Sequence, residues 1–377
     1  MTRARDIANL GNNTTNLETL DTLYGDNVLT GRNLIINGAM QVAQRGTSET
    51  GVGGSSGYFT CDRWRVDTGN TAGRVTMSQA SVTDLAGFAN ALKLDVTTAD
   101  TSIASGEVFR VGQRIEGQNL QQIAKGTASA KALTLSFYVK GNAAATYVAQ
   151  LKDADNTRAN TQNFSVTTSW TRVELTYVAD TTGTLGDDNA NSLEVMFWLH
   201  GGSDFTSGTF ASNTWASETN ANNYAGSNTS IFDSTDRELF ITGVQLEVGQ
   251  TATPFEHESY GTTLHKCRRY CRVYNAGSNY NQVGGTGFGI NSTTVNIPIL
   301  LDPQMRTTPS LTASGGNHQL SDGASGTVIG GISVLTAQSS KDVLSMAPTA
   351  SGLTQHRPYR LESQNNSTAR ITISAEL

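Results

Sequence analysis

The stretch LTLSFYVK at residues 133–140 alternates apolar side chains with side chains that carry a polar group, without a break. In an extended chain, neighbouring side chains point to opposite faces, so this period of two predicts a half-buried β-strand. The face predicted to be buried carries Leu133, Leu135, Phe137 and Val139. The face predicted to be solvated carries Thr134, Ser136, Tyr138 and Lys140.

Similar alternation occurs before and after this stretch. It predicts strands over 92–96 and 173–177, and one over 240–248 whose shared face carries Phe240, Thr242, Val244, Leu246 and Val248. Turn-forming clusters lie between them, and the chain holds 38 glycines with only 15% charged residues. These features predict an antiparallel β-sandwich rather than a parallel α/β sheet, with one helical crossover over 119–124.

A chain of 377 residues is long enough for two or three domains. The alternation starts at Asn33, and after the Pro254-Phe255-Glu256 stretch the composition changes to a basic, aromatic segment. The sequence therefore predicts an arm over 1–32, a β-sandwich domain over 33–260 and a second β domain over 261–377. The arm is too short to bury its apolar residues alone, so it is either frayed or ordered by packing on a partner.

Charge and hydropathy disfavour several function classes. The net charge is −6 and no run of Lys or Arg could neutralise successive phosphates, which disfavours nucleic-acid binding. The most apolar stretch, LEVMFWL at 193–199, is far shorter than the ~20 residues of a membrane-spanning helix. The N-terminal sequence lacks a secretory apolar region, so we expect synthesis and folding in a cytoplasm. An odd count of three cysteines is not a disulfide framework, and we expect reduced thiols.

No motif predicts catalysis, a metal site or a cofactor. The stretch 153–156 resembles a calcium loop, but the loop lacks its central glycine and its final glutamate. The glycines of 284–289 do not fit a phosphate-binding loop. Five histidines are scattered, and no serine lies in a Gly-x-Ser-x-Gly turn. The close carboxylate pairs at 187–188 and 256–258 could serve a glycosidase, but such pairs are common on solvated surfaces. We therefore expect a protein that is not an enzyme.

Residues 201–232 are polar and rich in glycine, yet aromatic residues recur through them. A disordered tract would be poor in aromatics, so we expect these rings to hold a long loop on the sandwich. Sugar sites combine aromatic faces with nearby amides, and Trp215, Tyr224, Asn222 and Asn223 offer those groups. They are the expected carbohydrate-binding residues under the glycan role that the resemblance described below implies. In the alternative interpretation, Trp215 is a buried plug of the core.

Several motifs of the chain resemble those of bacteriophage tail-fibre and other appendage proteins. They are Asn33–Met40 (NLIINGAM), Cys61–Trp64 (CDRW), Gln113–Leu120 (QRIEGQNL) leading to Leu133–Lys140, Thr242–Gly249 (TGVQLEVG) leading to Ala252–Glu256 (ATPFE), Cys267–Tyr270 (CRRY) and Met305–Pro309 (MRTTP). Arg268 departs from the glutamine usual in the Cys-Gln-Arg-Tyr element of that family. The opening Arg3–Ala8 is also similar to short segments of phage fibre chains.

The resemblance implies a jelly-roll domain over 33–260, related to carbohydrate-binding modules, in a homotrimer carried on a virion after synthesis in the host cytoplasm. The arm would dock on other virion proteins of the tail or capsid. The residues expected at that docking surface are Arg3, Arg5, Asp6, Ile7 and Leu10. Host-surface glycan is the further expected partner. Two other functions stay open: a ligand-free spacer, adaptor or capsid-decorating head fibre, and a glycan depolymerase.

Overall fold

The computed structural model describes residues 31–227 and 229–377. The predicted arm, with its docking residues Arg3, Arg5, Asp6, Ile7 and Leu10, lies outside the described residues apart from Gly31 and Arg32. The described chain forms two compact units. The first contains residues 31–41 and 47–258, and the second contains residues 42–46 and 259–377. The segment 42–46 therefore belongs to the second unit, although the alternation pattern alone assigns it to the first domain.

The first unit is built from thirteen strands in two antiparallel sheets. The strands are β1 (Ser48–Val52), β2 (Gly57–Tyr58), β3 (Arg65–Gly69), β4 (Arg74–Ser81), β5 (Asn90–Thr98), β6 (Val108–Glu116), β7 (Leu133–Gly141), β8 (Ala145–Asp153), β9 (Arg158–Val166), β10 (Thr171–Tyr177), β11 (Asn191–Gly201), β12 (Ala216–Ser217) and β13 (Glu238–Val248). A six-stranded sheet has the order β1-β4-β5-β13-β7-β10. A seven-stranded sheet has the order β12-β9-β8-β11-β6-β3-β2.

The second unit is also mainly β. Its strands are β14 (Cys271–Asn275), β15 (Gln282–Gly289), β16 (Val295–Leu300), β17 (Ser310–Ser314), β18 (His318–Ser321), β19 (Gly326–Val328), β20 (Gly331–Val334), β21 (Val343–Thr349), β22 (Pro358–Ser363) and β23 (Arg370–Ser374). They form a three-stranded sheet, β14-β23-β17, and a seven-stranded sheet, β19-β18-β22-β15-β16-β21-β20. The expected fold class, a jelly-roll β-sandwich followed by a second sandwich-like β domain, is confirmed.

Helical structure in the described residues is sparse. A short helix α1 (Ser203–Thr206) lies after β11, and α2 (Tyr260–Arg268) leads into β14, with the Ser259 hydroxyl accepting a hydrogen bond from the Thr262 amide at its N-terminus. The helical crossover predicted over 119–124 is instead two 3₁₀ turns, Gly117–Asn119 and Gln121–Ile123. No helix among the described residues is long and apolar enough to cross a membrane.

The core of the first unit lies between its two sheets. On β7 the predicted inner face is buried, with Leu135, Phe137 and Val139 each 0% exposed. The outer face is solvated only in part, because the chain that follows β13 covers one end of it. There the Thr134 hydroxyl donates a 2.9 Å hydrogen bond to the Gly249 carbonyl oxygen. A strand with one apolar face is therefore covered on both sides along part of its length.

The predicted strand over 240–248 exists as part of β13, but its side chains do not share one face. The pairing of β13 with β7 gains one residue between Thr242 and Gln245, which is a β-bulge at Gly243. Before the bulge Ile241 points into the core, while Phe240 pairs with Lys140 on the outer face. After the bulge Leu246 points inward. The expectation that Phe240 shares a buried face with Leu246 is wrong, because one inserted residue exchanges the two faces of a strand.

Substituting Gly243 with alanine is expected to lower the free energy of unfolding by about 1–2 kcal/mol. Gly243 has a φ of +61°, and an added Cβ would lie 2.7 Å from Phe88 Cζ and 2.9 Å from Tyr138 Cδ2. Denaturant unfolding measures the loss. Gly261→Ala is the control, since Gly261 has no close neighbour and lies in α2; a larger loss there than at Gly243 would contradict the role given to the bulge.

Candidate functional site

The bulge in β13 exposes an aromatic surface on the six-stranded sheet. We call it the aromatic face and define it by Tyr138 on β7, Trp170 just before β10 and Phe240 on β13. All three rings are half-buried. Tyr138 pairs with Thr242, and Phe240 pairs with Lys140, so they occupy neighbouring outward positions on adjacent strands. The rings of Trp170 and Phe240 have centroids 6.3 Å apart and planes at 69°, an edge-to-face arrangement.

Lysine and carboxylate groups fix the rings of the aromatic face. Lys140 Nζ lies 5.1 Å from the ring centroids of both Trp170 and Phe240, a cation–π distance. The same ammonium is 2.6 Å from Asp84 Oδ2, and the Trp170 indole N–H donates to Asp84 Oδ1 at 2.8 Å. The hydrogen bond from Lys140, and then the one from Trp170, lower the pKa of Asp84 below its usual value. Asp84 therefore stays ionised and orients both partners.

A second lysine, Lys93 on β5, flanks Phe240 on the side opposite to Lys140. Lys93 Nζ lies 5.5 Å from the Phe240 ring centroid, 2.6 Å from Glu238 Oε1 and 3.1 Å from Asp95 Oδ2. Burial would lower the pKa of Lys93, but the hydrogen bonds to Glu238 and Asp95 outweigh burial and raise it. The Asp95 side chain is 41% exposed and the Glu238 side chain 33% exposed. The aromatic face thus combines apolar rings with accessible donors and acceptors.

The aromatic face continues into a ring cluster around Phe88. The Phe88 ring centroid lies 5.2 Å from those of Tyr138, Phe255 and His257. Phe88 is 9% exposed, whereas His257 is exposed. The Phe88 ring therefore packs against Tyr138, and the exposed His257 imidazole lies at the edge of the aromatic face.

The outer face of the seven-stranded sheet is different, because the chain over 202–232 covers one half of it. Trp198 on β11 points outward yet is 1% exposed, since its ring lies 5.4 Å from that of Phe205 and 6.2 Å from that of Tyr224. Its indole N–H donates to Gln150 Oε1 at 2.9 Å. The expectation that aromatic rings hold this loop on the sandwich is confirmed.

The uncovered half of that sheet is mainly charged, and its Tyr58 ring lies under Arg65, 5.5 Å from the guanidinium carbon. Arg114 Nε lies 3.3 Å from Glu194 Oε1, and Arg65 Nε donates to Asp67 Oδ1 at 2.6 Å. Arg110 lies over the Trp198 ring, 4.8 Å from its centroid. The guanidinium groups here are matched by carboxylates on the same sheet, which leaves little unmatched charge for a ligand.

The four residues predicted to bind carbohydrate do not form one accessible surface. Tyr224 is 2% exposed and packs on Trp198, so its ring has no free face for a sugar. Asn223 is 3% exposed, accepting from Gln150 Nε2 at 2.7 Å and donating to Glu218 at 3.2 Å. Asn222 is half-buried and accepts from the Thr209 amide at 2.8 Å.

Trp215, the fourth of these residues, is half-buried against the core of the first unit. Its indole N–H donates to the Val178 carbonyl oxygen at 2.8 Å, and Lys125 Nζ lies 5.4 Å from the ring centroid. Trp170 has contacts of the same kind and is also half-buried, but only Trp215 packs on the core cluster. The geometry therefore agrees better with a packing role for Trp215, whereas the aromatic face brings three half-buried rings together.

Sequence reasoning missed Trp170, Tyr138 and Phe240 for identifiable reasons. Tyr138 lies on the predicted solvated face of residues 133–140, and this outward aromatic was an available signal. The bulge places Phe240 on the face opposite to the predicted one, and Trp170 follows a turn without any periodic pattern.

One of the carboxylates considered for a glycosidase has a structural role. The Glu256 carboxylate accepts hydrogen bonds from the amides of Gly31 and Asn33 at 2.5 and 2.9 Å.

Comparison with known proteins gives structural likenesses only. No protein-family model and no curated protein sequence matches the chain. An enzymatically active domain of tailspike protein 4 from bacteriophage CBA120 is 12% identical, with a TM-score of 0.30 over 58% of this chain and 21% of that domain's chain. The match thus spans about a fifth of the solved domain.

Two sugar-related structures are also similar. The family 11 carbohydrate-binding module of Clostridium thermocellum, solved with a β-1,3-1,4-mixed-linked tetrasaccharide, is 14% identical, with a TM-score of 0.27 over 56% of this chain and 98% of the module. A putative sugar-binding protein from Bacteroides thetaiotaomicron is 16% identical, with a TM-score of 0.33 over 57% of this chain and 99% of that protein.

Proposed function

We propose that this chain is a non-enzymatic, glycan-binding subunit of a virion fibre or appendage, and that it binds glycan on the aromatic face of its first unit. The observation that carries the glycan proposal is the arrangement of Tyr138, Trp170 and Phe240 beside Asp95 and Glu238 on a rigid sheet. Sugars present apolar C–H surfaces and hydroxyl groups together. Half-exposed rings with adjacent carboxylates and ammonium groups match both.

The sheet makes this surface preorganised. Strand pairing fixes the backbone at Phe240 and Tyr138, and ring contacts with lysines and with Phe88 orient their side chains. The Trp170 indole is held by its hydrogen bond to Asp84. A ligand that stacks there has few side chains to order, which lowers the entropic cost of binding. Weak single-site binding is sufficient if several copies act together, because multivalency raises the effective affinity.

The virion role rests on the sequence resemblance described above, including the CDRW and ATPFE stretches. In this proposal the chain assembles as a homotrimer, is made in the host cytoplasm and docks through residues 1–32 on tail or capsid proteins. A ligand-free spacer, adaptor or head fibre is the competing function. The aromatic face favours the adhesive function, because a spacer does not need half-exposed rings fixed by lysines.

Trp170→Ala is expected to weaken glycan binding at least tenfold, because it removes the contact area of one of the three stacking rings. Binding is measured with the full chain on an array of bacterial lipopolysaccharides, capsular polysaccharides and β-glucans, followed by titration of any glycan that binds. Trp215→Ala is the matched control and is expected to bind as the wild type does. Both variants are checked for folding by circular dichroism.

Two results would contradict the proposal. If the wild-type chain binds none of the array glycans, the spacer function is favoured. If Trp215→Ala loses binding while Trp170→Ala keeps it, the site lies on the loop over 201–232 and not on the aromatic face.

A further inference from the structure

Three metal-ligating side chains meet inside the first unit, away from the aromatic face. Asp100 follows β5, Glu107 precedes β6 and His200 lies near the end of β11. They are 5%, 5% and 0% exposed. One ligand atom from each residue lies within 4.8 Å of the others. Because β5 belongs to one sheet and β6 and β11 to the other, the cluster joins the two layers of the sandwich.

The charges of this cluster do not balance. Asp100 Oδ2 accepts from the Thr71 hydroxyl at 2.8 Å and from the Ala72 amide at 2.7 Å, and both donors are neutral. Glu107 Oε2 lies 3.1 Å from His200 Nε2. Among the described residues, no Lys or Arg forms an ion pair with Asp100 or Glu107. The Asp100 and Glu107 side chains also hydrogen-bond each other. With both carboxylates ionised, even a protonated His200 would leave one negative charge in excess, and a buried charge without compensation is costly.

The other nitrogen of His200 has a fixed partner. Nδ1 lies 2.7 Å from Ser230 Oγ, which also accepts a 3.0 Å hydrogen bond from the Phe232 amide. In the tautomer that donates the Nδ1 proton to Ser230, the Nε2 lone pair faces Glu107 and can bind a metal ion. Metal-ligating histidines typically have such an outer partner for the nitrogen that does not bind metal, and it fixes the ring orientation. The Phe232 ring packs edge-on against the imidazole, with centroids 5.3 Å apart.

We propose that Asp100, Glu107 and His200 bind one divalent transition-metal ion, with Zn²⁺ the best match to the donors. One imidazole nitrogen and two carboxylate oxygens suit Zn²⁺, whereas Ca²⁺ and Mg²⁺ prefer oxygen ligands alone. The ion would neutralise the carboxylates and link the two sheets. This inference is independent of the proposed glycan site.

A cavity of about 210 Å³ lies beside the cluster, and its lining includes Gly201, Tyr224 and Ser230. It reaches Ser230, the hydrogen-bond partner of His200, but none of the three ligands lines it. His200 is far in sequence from Asp100 and Glu107, and the three ligands follow no metal-binding spacing, so no local motif marks this site.

The test uses the full chain, stripped with EDTA and then titrated with ZnCl₂. We expect one zinc per chain by elemental analysis and a rise in the melting temperature of about 5–10 °C at a zinc concentration near 100 times Kd. Asp100→Asn and His200→Gln are expected to lose at least tenfold in zinc affinity. His257→Ala removes an exposed histidine and is expected to bind zinc as the wild type does.

Several results would overturn the proposal. If a proton shared by the two carboxylates balances the charge, the stripped wild-type chain binds no zinc and its melting temperature is unchanged. Equal zinc affinity in Asp100→Asn and the wild type would place the ion elsewhere. Because His200→Gln could fail to fold, the Asp100→Asn titration and the wild-type stoichiometry are sufficient to decide. MnCl₂ and CaCl₂ titrations test the metal preference, and tighter binding of Ca²⁺ than of Zn²⁺ would contradict the assignment.

Discussion

Lys125→Met is expected to lower the free energy of unfolding of the first unit by about 3–5 kcal/mol, because it leaves the buried Asp153 carboxylate without its cation. Lys125 Nζ lies 2.5 Å from Asp153 Oδ2 and 3.0 Å from Asp180 Oδ2. It also donates to the carbonyl oxygens of Thr182 and Gly183 at 2.8 and 3.0 Å. Lys125 is 6% exposed and Asp153 is 0% exposed, so water cannot replace the lost ammonium.

Methionine keeps the length and the apolar part of the lysine side chain, so the variant removes mainly the charge and its hydrogen bonds. For a unit of this size, the expected loss lowers the melting temperature by about 10 °C. Scanning calorimetry measures it, with the exposed Lys341 as the matched position. Lys341→Met is expected to change the free energy by less than about 0.5 kcal/mol. Similar melting temperatures for the two variants would show that the Lys125 network contributes little.

The ion pairs of Asp180 in this network also determine how the free energy of unfolding changes with pH. Burial would raise the pKa of Asp180, but the hydrogen bonds from Arg158 and then Lys125 outweigh burial and lower it. A carboxyl group whose pKa is lowered in the folded state stabilises the protein above its unfolded-state pKa. This contribution is therefore present at neutral pH and is lost as the pH falls through the folded-state pKa of Asp180.

Phe197→Ala is expected to cost about 3–5 kcal/mol, since it opens a cavity at the centre of the first unit. Phe197 is 0% exposed, and its ring centroid lies 4.8 Å from that of Phe137 and 5.9 Å from that of Phe164. It also stacks on Trp64 at 6.3 Å. Removing the ring takes a contact from each of these neighbours, and a sheet core can collapse only partly into the space.

Urea unfolding of Phe197→Ala, followed by tryptophan fluorescence, measures this loss. Phe288→Ala is the matched control because Phe288 is 60% exposed in the second unit, and it is expected to change the free energy by less than about 0.5 kcal/mol. If Phe197→Ala costs no more than the control does, the ring cluster around Phe197 is not the centre of the core.

Local sequence patterns predicted the sandwich class and the four strands β5, β7, β10 and β13 of the first unit. Alternation over 133–140 and 173–177 predicted β7 and β10, because a period of two is a local property that survives in the fold. That these two strands pair with each other came from the structure. The pattern was less informative for β11. Its stretch LEVMFWL alternates poorly, and it is buried on both faces because Phe205 and Tyr224 cover the outer side of Trp198.

The candidate sites were less predictable than the strands. Trp215 and Tyr224 fit a sugar site by composition, but a ring's exposure depends on what packs against it, and packing is not a local property. The Tyr224 ring stacks on Trp198 and is buried, whereas the rings of Tyr138 and Phe240 are half-buried.

The sequence by itself determined that the chain is a β-sandwich protein with turns rich in glycine, since periodicity and turn chemistry act over a few residues. Only the tertiary structure decided which rings are accessible and which charges meet. One inserted residue at Gly243 turned Phe240 outward, and two sheets brought Asp100 and His200 together from distant positions. Both outcomes depend on strand register and on contacts between segments far apart in the chain, which no local pattern encodes.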